Sequence, residues 1–184
     1  MIIPIIIAAV IVIIIIWVIA TYNGFVKLRN GIEEAFSTMD VYLKKRYDLI
    51  PNLVETVKGY AKHEKSTLES VISARNMAVS ATSLEDRVEK ENILAGALRN
   101  LFALAESYPD LKANTSFLEL QGQLSRIEDE IANSRKYYNA IVKTYNIKRE
   151  AFPSAIVGGM FGFTRKPMFE VAGAEERENV KVQF

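Results

Sequence analysis

The run SFLELQGQLSRIEDEIANSRKYYNAIVKTYNIKREAF, residues 116–152, decides the fold class. Its Phe117, Leu120, Leu124, Ile127, Ile131, Ser134, Tyr138, Ile141, Tyr145, Lys148 and Phe152 alternate steps of three and four. The spacing averages about 3.5 residues, the coiled-coil repeat, and only Ser134 and Lys148 interrupt the apolar seam. Ser116 with Glu119 reads as a capping box at the start. Glu128, Asp129 and Glu130 fall in the first half, while Arg135, Lys136, Lys143, Lys148 and Arg149 crowd the second, partly the order a helix dipole prefers. Pro153 stops the pattern.

The same periodicity extends back through the chain. From about Phe25 to Tyr60, Leu28, Ile32, Phe36, Met39, Leu43, Tyr47, Ile50, Val54 and Val57 form one stripe. A second helix is expected over about 61–81, with Leu68, Val71, Ile72 and Val79 on one face. A third is expected over about 84–108, announced by Ser83 and Asp86 as Ser-x-x-Asp and ended by Pro109. It turns Val88, Leu94, Leu98, Leu101 and Ala105 inward. The stripe of the first helix persists on both sides of Pro51, so the helix is expected to bend there rather than end. Proline gives no N–H, and the carbonyl left over lies near Tyr47, with Asp48 and Asn52 as candidate partners.

The N-terminus carries a different signal. IIPIIIAAVIVIIIIWVIA, residues 2–20, holds no charge, and the first charged side chain is Lys27. About 20 apolar residues match the hydrocarbon core of a bilayer. Trp17 and Tyr22 suit the interface at one end. A cleaved signal peptide fits less well, because such a leader starts basic and its apolar run is shorter. Lys27 and Arg29, then Lys44, Lys45 and Arg46, place the C-terminal domain in the cytoplasm by the positive-inside rule, with the N-terminus outside. No turn signal separates this span from the first domain helix.

Composition narrows function. With 23 basic and 22 acidic residues and net charge +1, the 184-residue chain lacks the basic excess of a nucleic-acid binder. Absence of cysteine excludes disulfides and thiolate chemistry. His63 is the single histidine, so neither a Glu-x-x-His di-metal site nor a His-Glu-x-x-His zinc site can form from this chain. Gly158, Gly159 and Gly162 follow a helix rather than a strand and lack a phosphate-loop lysine, which favours a turn or packing role. Glu33-Glu34, Glu85-Asp86 and Glu128-Asp129-Glu130 read as solvated helix faces. Tyr138-Asn139 and Tyr145-Asn146 recur seven apart, as packing tyrosines or as asparagines fixing register or a subunit contact. The tail AIVGGMFGFTRKPMF is apolar and glycine-rich, and is expected to be irregular. Ile156, Val157, Met160, Phe161, Phe163, Arg165, Lys166 and Phe169 are its candidate contacts with a partner or a membrane. Docking onto its own bundle, insertion into the bilayer interface and packing on a neighbour stay open. The helix-bend motif Asp48, Pro51 and Asn52 is the other candidate recognition feature.

Three blocks carry a family resemblance. RYDLIPNLVETVKGYAKHEKSTLESV (46–71), AESYPDLKANTSFLELQGQLSRIEDEIANSRKYYNAIVKTYN (105–146) and FPSAIVGGMFGFTRKPMFE (152–170) resemble the hallmark blocks of the LemA family, in order. The likeness runs from Tyr22 to Glu170 and departs slightly at Thr164-Arg165. It implies a single-pass protein of a bacterial inner or plasma membrane with a helical bundle and no established catalytic residues or cofactor. It also implies an HtpX-like membrane metalloprotease as a candidate partner, in membrane-protein quality control.

The expectation is therefore all-α. An N-terminal transmembrane anchor occupies 1–24, and an elongated antiparallel four-helix bundle with a long, kinked first helix occupies 25–152. An apolar Gly-rich tail and polar C-terminus occupy 153–184. The functional expectation is a non-enzymatic membrane-anchored scaffold that forms homo-oligomers and binds membrane partners. A lipid-binding or membrane-remodelling protein acting through the basic, apolar tail is the alternative.

Overall fold

A computed structural model describes residues 2–169, which are helical throughout apart from connectors and a terminal strap. Six helices occur among the described residues: α1 (Ile2–Tyr60), α2 (Lys65–Val79), α3 (Leu84–Ala105), α4 (Pro109–Lys112), α5 (Thr115–Glu150) and α6 (Ser154–Met160). The apolar span and the first domain helix are one continuous helix, and Pro51 lies inside it. The polar run 172–184 lies outside the described residues.

The chain divides into two compact units. The first takes residues 2–40 and 132–168. Here α1 and α5 pair antiparallel: Phe25 meets Tyr145 edge-on at 5.9 Å between ring centres, and Phe36 meets Tyr138 at 6.3 Å. The second takes residues 41–131 with Phe169. Its core is built by Leu43, Ile50, Leu53 and Val57 of α1, Val71 of α2, Leu94 and Leu101 of α3, and Leu124 of α5.

Most of the stripe positions are buried as their spacing requires. From Ile32 to Val57, the α1 residues at steps of three and four are buried, Phe36 partly. The exceptions are local. Val79 is 51% exposed, and α2 buries the small residues Ala74 and Ala78 instead. Phe152 is 84% exposed, because α5 ends at Glu150 and the chain turns away before the seam reaches it. Val142 and Asn146 are buried beside the expected positions, so the buried face of α5 is wider than its seam.

Helix starts follow local chemistry. Ser83 Oγ accepts from the Asp86 N–H at 3.1 Å, the cap its spacing announced, and the Asp86 carboxylate accepts from the N–H of Thr82, one residue before the cap, at 3.3 Å. At α5 the cap is Asn114, not Ser116: its Oδ1 accepts from the Phe117 N–H at 2.9 Å. Asparagine is among the strongest N-caps and stands one residue before the helix. Pro109 does not end α3, which stops at Ala105; it opens α4, where its missing N–H costs nothing. The tail is not irregular throughout, since residues 154–160 form α6.

Candidate membrane-proximal site

In the first unit α5 grips the strap that follows α6. Gly162 turns the chain at φ +69°, a conformation that suits glycine, and sends it back along the helix. Arg149 Nε donates to the Phe163 carbonyl at 2.5 Å, and the Tyr145 hydroxyl donates to the Thr164 carbonyl at 3.0 Å. Asn146 bonds Lys166 twice: its Nδ2 donates to the carbonyl at 2.9 Å and its Oδ1 accepts from the N–H at 3.0 Å. The Tyr138 hydroxyl reaches the Pro167 carbonyl at 3.1 Å. Burial raises the Tyr145 phenol above its ordinary value.

Three members of the seven-residue Tyr-Asn repeat, Tyr138, Tyr145 and Asn146, thus hold the chain's own tail. Asn146 serves the strap as the backbone of a neighbouring strand would, satisfying both polar groups of one residue. Spacing alone gave helical periodicity and a polar residue beside it, but not the identity of what it holds.

Aromatic packing fixes the same unit. Phe163 stacks on Phe25 at 4.8 Å with planes 19° apart, and Tyr22 meets Phe161 at 4.8 Å and Phe163 at 5.7 Å. Lys148, the seam's charged interruption, sets its ammonium 5.2 Å from the centre of the Phe25 ring. Gly158 packs between Arg149 and Phe25, where a Cβ would come within 2.9 Å of Arg149 Cδ. The glycine cluster therefore serves packing and a turn.

The candidate contacts divide. Val157, Phe163 and Phe169 are buried, Lys166 is half-buried, and Ile156, Met160, Phe161 and Arg165 are exposed. Arg165 stands 3.8 Å from Glu150.

In the second unit, Pro51 leaves the Tyr47 carbonyl without its helical N–H, and Arg75 of α2 supplies the donor, Nε to oxygen 2.8 Å. Asp48 and Asn52 are exposed, and Pro51 is half-buried. Arg75→Met removes this donor and should cost about 1–3 kcal/mol. Pro51→Ala restores the helical N–H, so the same change in that background should cost under about 1 kcal/mol. Urea unfolding of the four proteins checks the difference.

Next to it lies a buried polar cluster. Arg46 is 0% exposed and pairs with Glu91, which is also 0% exposed; its Nη1 bonds both oxygens of Glu128 at 2.8 and 3.1 Å. The Tyr47 hydroxyl donates to Glu91. Glu128 is therefore not a simply solvated acid, although its side chain remains 44% exposed. Glu91 is absent from the sequence-derived candidates. Its signal is its position, three residues after Val88 and three before Leu94, an acid on an apolar stripe.

A groove of about 920 Å³ opens between α1 and α2. Val54, Leu68, Ile72 and Met77 line it, rimmed by Lys62 and by the pairs Lys58–Glu55 and Lys65–Glu69. Among the described residues no three His, Asp or Glu side chains gather as a metal site.

The class is an all-α protein whose N-terminal helix is exposed, apolar and long enough to cross a bilayer. The model of the LemA family matches residues 35–184, and the chain belongs to that family. Protein LemA of Metamycoplasma hominis is 29% identical over 164 residues, covering 87% of this chain and 72% of its own length. Magnetosome protein MamQ 2 of Paramagnetospirillum magneticum is 26% identical over 175 residues, 81% of this chain. Magnetosome protein MamQ of Magnetospirillum gryphiswaldense is 24% identical over 174 residues, 80% of this chain. The match spans 64% of each MamQ protein, less than two thirds of its length.

Proposed function

We propose that this protein is a membrane-anchored, non-enzymatic helical scaffold that forms homo-oligomers and holds membrane proteins from the cytoplasmic side. The observation that carries the reading is the groove between α1 and α2. Its apolar floor is open to solvent and rimmed by charges of both signs, which suits the apolar face of an amphipathic partner helix. An HtpX-like membrane metalloprotease is a candidate partner, which would place the protein in membrane-protein quality control in a bacterial inner membrane. The anchor holds scaffold and partner in one bilayer, so a weak groove suffices at high effective concentration.

The test is isolation of the intact chain from membranes in mild detergent after photo-cross-linking from Ile72. A membrane protein should co-purify, and Ile72→Glu with Met77→Glu should reduce its recovery by about tenfold or more, as two charges placed on an apolar floor are desolvated. A monomer that captures nothing overturns the reading.

A second reading, lipid binding or remodelling through the basic, apolar tail, is favoured by the exposed apolar side chains of α6. Binding of the chain without residues 1–24 to anionic vesicles, lost on deleting 155–169, would select it.

A further inference from the structure

α6 buries Val157 and Gly158 and leaves a face of large apolar side chains in the open. Phe152 is 84% exposed, Ile156 53%, Met160 70% and Phe161 50%. Ile156 and Met160 stand four apart on one face of α6, and Phe152 is exposed in the turn just before the helix. Four such side chains together exceed the scattered apolar residues of an ordinary surface.

The level of this patch along α1 is fixed by its neighbours. Phe161 packs on Tyr22, and Tyr22 stands two residues past Ala20, where the charge-free run ends. At 1.5 Å per residue that is about 3 Å along the helix axis. The exposed residues of α6 therefore sit where the apolar surface of α1 passes into its first charged residues, Lys27 and Arg29, both exposed. Trp17 and Tyr22 mark the same band on α1. Apolar side chains below a cationic rim match the boundary between acyl chains and anionic headgroups.

We propose that α6 is an interfacial foothold: it lies in the headgroup layer of the bilayer that α1 crosses, with Phe152, Ile156 and Met160 toward the acyl chains. This rests on the reading of residues 2–20 as the span. The patch continues the lipid-facing surface of α1 sideways, so lipid is its occupant and not a second copy of the chain. The strap clamped to α5 stops α6 from swinging free, because Phe163 and the carbonyls after it are held. One end of the first unit is thus attached to the bilayer at two points.

The chain has one tryptophan, Trp17, which makes the test direct. The full-length protein is placed in nanodiscs whose phospholipid is brominated on the acyl chain near the glycerol. In the Trp17→Phe background, Met160→Trp and Ile156→Trp are compared with Val41→Trp, which reports the exposed part of α1 further along. Met160→Trp and Ile156→Trp should lose about half their emission or more, since an interfacial helix sinks only about 5–10 Å. Val41→Trp should be unaffected. Unquenched emission from both α6 positions, with Trp17 of the parent quenched, overturns the foothold and leaves the span intact. Unquenched Trp17 overturns the span itself. Blue-shifted but unquenched emission at both α6 positions would mean that protein covers the patch, which also overturns the proposal.

Discussion

Arg46→Met should lower the stability of the second unit by about 3–5 kcal/mol, because it takes the buried guanidinium away from the buried Glu91 carboxylate. Neither side chain has exposure through which water could compensate. Glu128 behaves differently: with 44% of its side chain exposed, it can exchange the guanidinium for solvent. The readout is amide hydrogen exchange along α3, expected to accelerate by about 10²–10⁴-fold around Glu91. Replacing the three buried members and leaving the half-exposed Glu128 to solvent separates a missing charge partner from a missing shape. Arg46→Met with Tyr47→Phe and Glu91→Leu removes donors and acceptors together and should return to within about 1.5 kcal/mol of the parent. If Arg46→Met alone costs under about 1 kcal/mol, the pair is not buried in the working protein.

Phe163→Ala should free the strap. Phe163 is buried, stacks on Phe25 and touches Tyr22, and truncating such a ring costs about 3–5 kcal/mol. The five hydrogen bonds to residues 163–167 are each worth about 1 kcal/mol, and without the ring they are set against about 1–2 kcal/mol of backbone entropy for each residue ordered. Trypsin should then cut after the exposed Arg165 at least about 100-fold faster, since cleavage tracks the open population. Phe163→Leu keeps most of the apolar volume and should show a much smaller rise. Equal rates in all three proteins would mean that the strap is already loose.

The helical class, the continuous span and most buried positions of α1 and α3 were legible, because a packed helix imposes its period on the chain. The bend motif was half legible. Pro51 reveals which carbonyl loses its donor, but the substitute came from Arg75, 24 residues downstream on another helix, and spacing carries no such pairing. The Asn114 cap was hidden by a fitting decoy, since Ser116 and Glu119 satisfy the capping-box spacing two residues later. α6 was obscured by its glycines, whose low helix propensity is overcome by packing of Val157 and Gly158 against α1 and α5. The Arg46–Glu91 pair was written on two stripes as charges out of place, and only the crossing of helices shows that they answer each other.

The manner in which α5 clamps the strap has an evolutionary corollary. Phe163 is held by its ring, but from Thr164 to Pro167 the groups held are main-chain carbonyls and one amide, which do not depend on the side chain that follows. Such a clasp is blind to what the clasped residues are. The exposed Thr164-Arg165 pair therefore loses nothing of the grip, and either side chain can be exchanged without disturbing the groups on α5 that hold the backbone.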